Sequence, residues 1–234
     1  MDVVRLPEDI TPKYVKSINE HPGILSLALR KEPDPVTKQL ILRGVPFVVP
    51  GGRFNEMYGW DSYFETLGLV IDGRVELAKS MVDNFVYQLE HYGKILNANR
   101  SYYLTRSQPP FLTDMILQVY KALKEKSDGS HQRLKPWLYR GFRAATKELL
   151  SVWLAPPRLD FKTGLIIYHP TGIGMPPETE STHFNHILEP YAEKWGISLQ
   201  EFQEKYNKDI IEEPELDRYF IHDRAGNVFI ALHI

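Results

Sequence analysis

The stretch PGGRFNEMYGWDSY, residues 50–63, brings several polar and aromatic side chains to one junction between a loop and a helix. Its two adjacent glycines can take backbone angles closed to other residues, so they bring Arg53 to a tight bend. Trp60 and Asp61 follow where the next helix begins. A guanidinium donates paired hydrogen bonds and a carboxylate accepts them, so the stretch suits a ligand rich in hydroxyl groups. The residues alone leave a second interpretation open, in which Asp61 caps the helix, Arg53 pairs with it and Trp60 lies in the core.

Helical periodicity dominates the chain beyond this stretch. Apolar residues at i, i+3 and i+4 predict a helix over residues 74–91, a second opened by Pro110 and a third that ends before Pro156. The apolar faces are Ala78, Met81, Val82, Phe85 and Leu89 in the first, Leu112, Met115, Ile116, Val119 and Leu123 in the second, and Leu138, Phe142, Ala145, Leu149 and Val152 in the third. Further helices are predicted around residues 180–194 and over 198–206, so the fold class is all-α.

The segments between the predicted helices are long and polar. Residues 1–49 are rich in proline and indicate an arm of loops and turns, with one short helix over residues 11–18. Residues 96–108 and 156–179 show no alternating pattern of a strand. Loops of that length in a helical domain are more often functional than idle, so they are the places where a site is expected.

The composition excludes several classes of protein. The chain has 234 residues, 43% hydrophobic and 25% charged, which is typical of a soluble globular protein. Its formal charge of −2 gives no positive field for nucleic acid, and the lack of cysteine excludes disulfides and thiolate metal sites. The first residues, MDVVRLPEDITPK, contain no apolar run of signal-peptide length, and no run is long enough to cross a membrane. A cytoplasmic protein with no nucleic-acid or membrane partner is therefore expected.

The stretch at residues 50–63 matches, position by position, the trehalase signature P-G-G-R-F-x-E-x-Y-x-W-D-x-Y, so the chain resembles the trehalase family. NANRSYYLTRSQPP, residues 97–110, and the proline–glutamate pair that ends at Glu178 resemble the next two blocks of that family, in the same order. LPEDITPKYVKSINEHPGIL, residues 6–25, looks like the neutral, cytosolic trehalases of fungi. The resemblance extends over residues 6–224.

The resemblance implies hydrolysis of trehalose to two glucose molecules with inversion, on an (α/α)6 toroid whose site lies at one mouth. It implies three parts of the chain: an arm over residues 1–49 that packs on the catalytic domain, the front portion of that domain over residues 50–225, and a tail outside the family over residues 226–234. The toroid is then partial, incomplete at the C-terminal side. The substrate-binding residues that the resemblance assigns are Arg53, Trp60, Asp61, Asn97, Arg106, Ser107, Gln108 and Glu178.

The catalytic carboxylates are expected to be absent from this chain. An inverting glycosidase needs one carboxylic acid to protonate the leaving oxygen and one carboxylate to activate water. The residues His222, Asp223 and Arg224 look like a family motif that should run into R-E-S-G-H-D, which holds the acid, but AGNVFIALHI follows instead. The family's second signature, which begins Gln-Trp-Asp, is also missing, and so is the later Glu that serves as the general base. The chain is therefore expected to lack activity alone.

Other interpretations remain open. The chain could be a non-catalytic protein that binds trehalose or regulates a complete trehalase through an unknown protein partner, or a fragment that does not fold. His183 and His186 lie one helical turn apart, with His169 upstream, and could be metal ligands. No carboxylate completes a zinc motif and the resemblance implies no catalytic metal, so no metal and no cofactor are predicted.

Overall fold

The computed structural model divides into two compact units. The large unit is Gly23–Thr171, and the split unit is formed by Met1–Pro22 and Gly172–Ile234. The residues that the structure describes are 3–18, 22–126, 131–168, 182, 184–207, 210–216, 220–223 and 227–230. The domain boundaries predicted at residues 49 and 225 stay predictions. None of the helices in these described ranges combines the length and apolar character needed to cross a membrane.

Most of the regular secondary structure described in both units is helical. The large unit contains strands β1 (Leu29–Pro33) and β2 (Leu40–Gly44), helices α2 (Gly59–Ile71), α3 (Val75–His91), α4 (Leu112–Lys126) and α5 (His131–Glu148), a 3-10 turn (Ser101–Tyr103) and a π-helical turn (Leu149–Trp153). The split unit contains helices α1 (Pro12–Ser17), α6 (Asn185–Trp195) and α7 (Leu199–Asn207) and strands β3 (Phe220–Asp223) and β4 (Asn227–Ile230). Both strand pairs are antiparallel.

The core of the large unit lies between α3 and α4, on the faces that the sequence predicts. The predicted apolar residues of α3 and α4 are all buried, and they form one cluster with Met57 ahead of α2. Small and large apolar side chains thus interdigitate along two adjacent helices, which is the arrangement expected of an i, i+3, i+4 pattern. The helix boundaries and faces predicted for these two elements are confirmed.

Helix α5 forms as predicted, but the predicted face is wrong at two positions. Phe142 is 63% exposed and Leu149 is 47% exposed, whereas Gly141 and Ala144 are buried. A Cβ atom on Gly141 would lie only 3.0 Å from Cδ1 of Ile116. The small residues Gly141 and Ala144 let α5 approach α4 closely, so side-chain size decides which face of α5 is buried. The spacing of apolar residues alone does not predict such a contact.

The arm predicted as loops and turns contains the hairpin β1–β2, so that prediction was wrong for residues 29–44. The register pairs Leu29 with Gly44 and Pro33 with Leu40. Asp34 closes the hairpin because its carboxylate accepts hydrogen bonds from the backbone N–H groups two and three residues on, at 2.9 and 2.8 Å. Both strands are largely exposed, so they have no buried apolar alternation by which the sequence could reveal them.

The split unit shows the helix ends that the sequence predicts. Thr11 Oγ1 accepts the N–H of Tyr14 at 3.2 Å, and Ser198 Oγ accepts the N–H of Glu201 at 3.2 Å. Helix α6 ends at Gly196, which has a left-handed φ of 65°. The start predicted for this helix near residue 180 lies outside the described residues.

A buried carboxylate joins α6 to the segment after α7. Glu213 is 3% exposed, and its carboxylate accepts hydrogen bonds from Nζ of Lys194 at 2.8 and 2.9 Å. The indole N–H of Trp195 donates to the same carboxylate. The apolar core of the split unit is formed by Phe184, Leu188, Ala192, Phe202, Tyr206, Ile211 and Leu216. The buried charge of the split unit therefore has a cation and a neutral donor as partners.

Candidate functional site

The glycine-rich turn before α2 has the geometry that the sequence predicts. Gly51 and Gly52 have φ angles of 90° and 62°, which other residues rarely adopt. The N–H of Phe54 donates to the carbonyl of Gly51 at 3.1 Å and closes the turn. The guanidinium carbon of Arg53 lies 5.1 Å from the centre of the Phe54 ring, within the range of a cation–π contact. The turn thus holds a cation beside an aromatic face.

The first residues of α2 are tied to the loop at residues 96–108. The N–H of Gly59 donates to the carbonyl of Asn97 at 3.1 Å, and the N–H of Trp60 donates to Oε1 of Gln108 at 2.7 Å. These bonds satisfy two of the donors that every helix leaves unpaired at its start. A Cβ atom on Gly59 would lie 2.7 Å from Oε1 of Gln108, so only glycine fits this contact. Asn97, Trp60 and Gln108 therefore meet at one junction.

The exposed side chain of Trp60 argues against its alternative interpretation as a core residue. It is 46% exposed, although it stands at the start of a well-packed helix. The N-cap position of α2 is Tyr58, so Asp61 lies in the first turn and is not the cap residue. The structure therefore does not support the core interpretation of Trp60 or the cap interpretation of Asp61.

Other fixed positions of the first motif are used by the fold. Glu56 forms an ion pair with Arg100, with Nε to Oε1 at 2.6 Å, and the N–H of Met57 donates to Oδ1 of Asn99 at 2.8 Å. Farther along, the hydroxyl of Tyr63 donates to Asp114 at 2.7 Å. The motif at residues 50–63 and the motif at residues 97–110 are thus interlocked by side-chain contacts, which the sequence could not show.

The second motif forms a folded loop rather than an extended one. The N–H of Asn97 donates to the carbonyl of Arg106 at 3.1 Å, and the N–H of Arg106 donates to the carbonyl of Tyr103 at 2.9 Å. Asn97 and Arg106 are therefore neighbours in space although nine positions separate them in the sequence. The predicted residues Asn97, Arg106, Ser107 and Gln108 come together with Trp60 in one region of the large unit.

Ser107 is anchored by residues that sequence reasoning missed. It is fully buried, and its Oγ accepts a hydrogen bond from Nη2 of Arg158 at 2.7 Å. The hydroxyl of Tyr168 donates to the Ser107 carbonyl. Arg158 is itself only 5% exposed, and its guanidinium carbon lies 4.6 Å from the centre of the Trp153 ring. Both anchors lie in the long loop after α5, which the sequence marked as a place for function without naming these residues.

The charges around Ser107 are buried and mostly positive. Burial lowers the pKa values of Arg106, Arg158 and Lys94, and the neighbouring charge of Arg158 lowers the pKa of Lys94 further. Burial also raises the pKa of Glu148 to about 7, against the opposing effects of the Trp153 indole and the Arg158 charge. Three cations and one half-neutral carboxyl group thus share a region of low dielectric.

A second carboxyl group with a raised pKa lies on α2. Burial and then the charge of Asp61 raise the pKa of Glu65 to about 7. Both carboxylate oxygens of Glu65 are buried, and neither has a hydrogen-bond partner in the part of the chain that the structure describes. The only sequence signal for this pair is its i, i+4 spacing, which places like charges on one helix face.

The remaining predicted positions lie elsewhere or outside the description. Glu178 lies outside the described residues, as do His169 and His183, while His186 lies on α6. Within the described ranges, no group of three or more His, Cys, Asp or Glu side chains could hold a metal ion. A groove of about 710 Å³ runs between β1, α3 and α5, and none of the predicted residues that are described lines it.

Several known proteins similar to this chain are named trehalases. A family model described as Trehalase matches residues 1–228. "Cytosolic neutral trehalase" of Pyricularia oryzae is 57% identical over 225 residues, which are 96% of this chain and 30% of that protein. "Cytosolic neutral trehalase" of Saccharomyces cerevisiae is 53% identical over 225 residues, with the same shares of 96% and 30%. The chain spans about 30% of the length of these curated relatives.

A solved structure extends the likeness to three dimensions. "Neutral trehalase Nth1 from Saccharomyces cerevisiae" superposes with a TM-score of 0.79 and 54% identity, over 94% of this chain and 40% of that one. The predicted fold class is confirmed: the chain is mostly helical and is part of an (α/α)6 toroid. The resemblance inferred from the motifs is confirmed as well, over nearly the whole chain. The chain belongs to the trehalase family.

Proposed function

We propose that this chain supplies part of the sugar-binding wall of an α,α-trehalase, which hydrolyses trehalose to two glucose molecules with inversion. The observation that carries the proposal is the junction of Trp60, Asn97 and Gln108, where two motifs distant in sequence are joined by hydrogen bonds at 2.7 and 3.1 Å. A preformed cluster of this kind suits a rigid polar ligand, because little side-chain freedom is lost on binding.

The side chains at this junction match the chemistry of a disaccharide. The Trp60 ring is partly exposed and offers a flat apolar face, which covers the C–H side of a pyranose. Arg53 and Arg106 donate hydrogen bonds to hydroxyl oxygens, and Asp61 accepts them. Asn97 and Gln108 supply both donors and acceptors. We propose the same sugar-binding role for Glu178, while Ser107, whose side chain is fully buried, serves the site through its place in the loop. These two residues complete the set that the resemblance assigns.

We propose that the chain binds trehalose without hydrolysing it. The two catalytic carboxylates of an inverting trehalase belong to motifs that do not occur among these residues. A displaced carboxylate is a poor substitute, since a shift of about 1 Å can lower the rate roughly a hundredfold. The site needs no metal or cofactor for this role. We also propose a cytoplasmic location, because the relatives of similar sequence are named cytosolic.

Fluorescence titration with trehalose tests the binding wall. Trp60 is 46% exposed at the proposed site, so trehalose should change the tryptophan emission of the wild-type chain. The Trp60→Phe variant should lose most of that change and bind trehalose about tenfold more weakly. Trp195→Phe is the matched control, because Trp195 is 47% exposed but lies on α6 in the split unit. Equal effects of the two substitutions would contradict the assignment.

Glucose release tests the absence of turnover. The purified chain should release no glucose from trehalose, whereas a protein that also carries the acid and base motifs should release it. Arg53→Ala in that active protein should lower kcat/KM, because Arg53 binds the substrate. Glucose release by the wild-type chain alone would show that its own carboxyl groups perform the reaction.

A further inference from the structure

Arg158 is a buried cation that, among the residues the structure describes, makes no direct ion pair. Its Nη1 donates to the carbonyl of Val152 at 3.2 Å, and its Nη2 donates to Oγ of Ser107 at 2.7 Å. Its Nε is buried and has no hydrogen-bond partner in the described ranges. A guanidinium that is 95% buried and donates its hydrogen bonds to neutral groups is unfavourable for stability, and an apolar side chain of similar size would serve a purely structural role better.

The contacts of Arg158 converge on the loop that carries the predicted sugar-binding residues. Ser107 lies between Arg106 and Gln108 in the sequence, so whatever fixes Ser107 also fixes the direction of its two neighbours. Tyr168 holds the carbonyl of Ser107 while Arg158 holds the hydroxyl. The N–H of Ile167 donates to the Arg158 carbonyl at 2.8 Å, which joins the two anchors to each other.

The opposite side of the same loop meets the helix that carries Trp60. Gln108 accepts the N–H of Trp60, and the carbonyl of Arg106 accepts the N–H of Asn97. The loop is therefore held between the start of α2 and the segment after α5. The second of these supports uses the buried charge of Arg158, and charged hydrogen bonds are stronger and more directional than neutral ones.

We propose that Arg158 is a positioning residue of the sugar site, which acts through Ser107 to hold Arg106 and Gln108 in the orientation that meets trehalose. This inference rests on the proposed function. Arg158 does not touch the sugar in this role; Trp153 stacks on its guanidinium and keeps it aimed at Ser107. Ser107 then contributes to the site chiefly as the link between Arg158 and the loop, since it is fully buried.

Two measurements on the full chain test the role: the dissociation constant for trehalose, and amide hydrogen exchange at Asn97 and Arg106. Arg158→Met should weaken trehalose binding about tenfold, because a hydrogen bond from a charged group is lost. It should also speed exchange at Asn97 and Arg106 more than at Val119 in the core of α4. Arg158→Lys should restore part of the trehalose affinity and part of the protection from exchange, since an ammonium group can still donate to Ser107. Arg140→Met is the matched control, because Arg140 also makes two guanidinium bonds, but to Glu90.

The outcomes separate the two proposals. Unchanged trehalose binding in Arg158→Met, or exchange no faster than in Arg140→Met, would overturn the positioning role. A wild-type chain that does not bind trehalose overturns the proposed function, and the exchange data still decide whether Arg158 anchors the loop. The double variant Arg158→Met/Ser107→Ala should bind no more weakly than Arg158→Met; additive losses would show that Arg158 does not act through Ser107. Should Arg158→Met fail to fold, Arg158→Lys and Ser107→Ala carry the same comparisons.

Discussion

Glu148 in the large unit and Glu213 in the split unit are equally inaccessible, at 3% exposed each, but they differ in their partners. Glu213 accepts hydrogen bonds from Lys194 and Trp195. Glu148 has no ion pair among the described residues, although the charge of Arg158 is felt from farther away. The charge of buried Glu213 is thus balanced by a cation in direct contact, whereas, within the described ranges, that of buried Glu148 is not.

The difference in partners decides the protonation of the two groups. Burial raises the pKa of Glu148 to about 7. Burial also acts to raise the pKa of Glu213, but the hydrogen bonds from Lys194 and Trp195 outweigh it and leave that pKa below its usual value. The balanced group stabilises the fold. The unbalanced group feels the charge of Arg158, which contacts the loop at residues 96–108 through Ser107, and perturbed pKa values are common in functional sites.

The largest expected effect is on the pH dependence of stability, through Glu148. Its folded pKa of about 7 exceeds the ordinary value of 4.5, so its contribution to stability is present below pH 4.5 and is lost as the pH rises through 7. Glu148→Gln should remove that loss and leave the variant more stable than wild type by about 3 kcal/mol near neutral to mild alkaline pH. Urea unfolding of the variant and the wild type at a series of pH values measures this difference in stability. A Glu65→Gln variant, measured in parallel, separates the contribution of Glu65, which has the same sign.

A smaller effect of opposite sign is expected from Glu213. Its folded pKa is lowered, so its contribution to stability is present above pH 4.5 and is lost in more acidic solution. Glu213→Gln should therefore lower the free energy of unfolding at neutral pH by about 2 kcal/mol, because Lys194 loses its counter-charge and one acceptor oxygen becomes an NH2 group that cannot accept its hydrogen bond. Glu215→Gln is the control on an exposed neighbour. If Glu213→Gln and Glu215→Gln lower the free energy of unfolding equally, or if Glu213→Gln raises it, the contrast with Glu148 does not hold.

The smallest effect concerns two glycines of α2, and it sharpens the contrast between the site and its surroundings. Gly59→Ala should lower stability by about 1 kcal/mol and weaken trehalose binding, because the new Cβ meets Gln108 and the Leu96 carbonyl. Gly68→Ala should instead raise stability by about 0.5 kcal/mol, since nothing lies within 4 Å and alanine favours a helix. Thermal unfolding and trehalose titration of both variants check this; a loss of affinity in Gly68→Ala would point to a general effect of helix α2.

Local patterns in the sequence were sufficient for the helices. The face of α3 follows from the spacing of residues such as Met81 and Phe85, and the starts of α1 and α7 follow from the caps Thr11 and Ser198. The hairpin β1–β2 did not follow, because its stability comes from the turn at Asp34 and not from an apolar face. Local signals predict structure well where burial is periodic and poorly where it is not.

The candidate site was predictable only in part. The motifs name Trp60, Asn97 and Gln108, and the structure brings these residues together, while the sugar-binding role itself stays a prediction. Arg158 and Glu148 could not be found, because burial of a charge depends on contacts between residues far apart in the sequence. Arginines and glutamates are mostly exposed in proteins, so the default interpretation of both was a solvated surface residue.

The division of the chain has a consequence for how it is made. The large unit is one continuous segment, Gly23–Thr171, whereas the split unit needs residues from both sides of it. During synthesis, which proceeds from the N-terminus, the large unit can fold while the last residues are still on the ribosome. Met1–Pro22 can complete its contacts within the split unit only after the segment Gly172–Ile234 has been made. A pause in translation beyond Thr171 would therefore leave the large unit folded and the split unit incomplete.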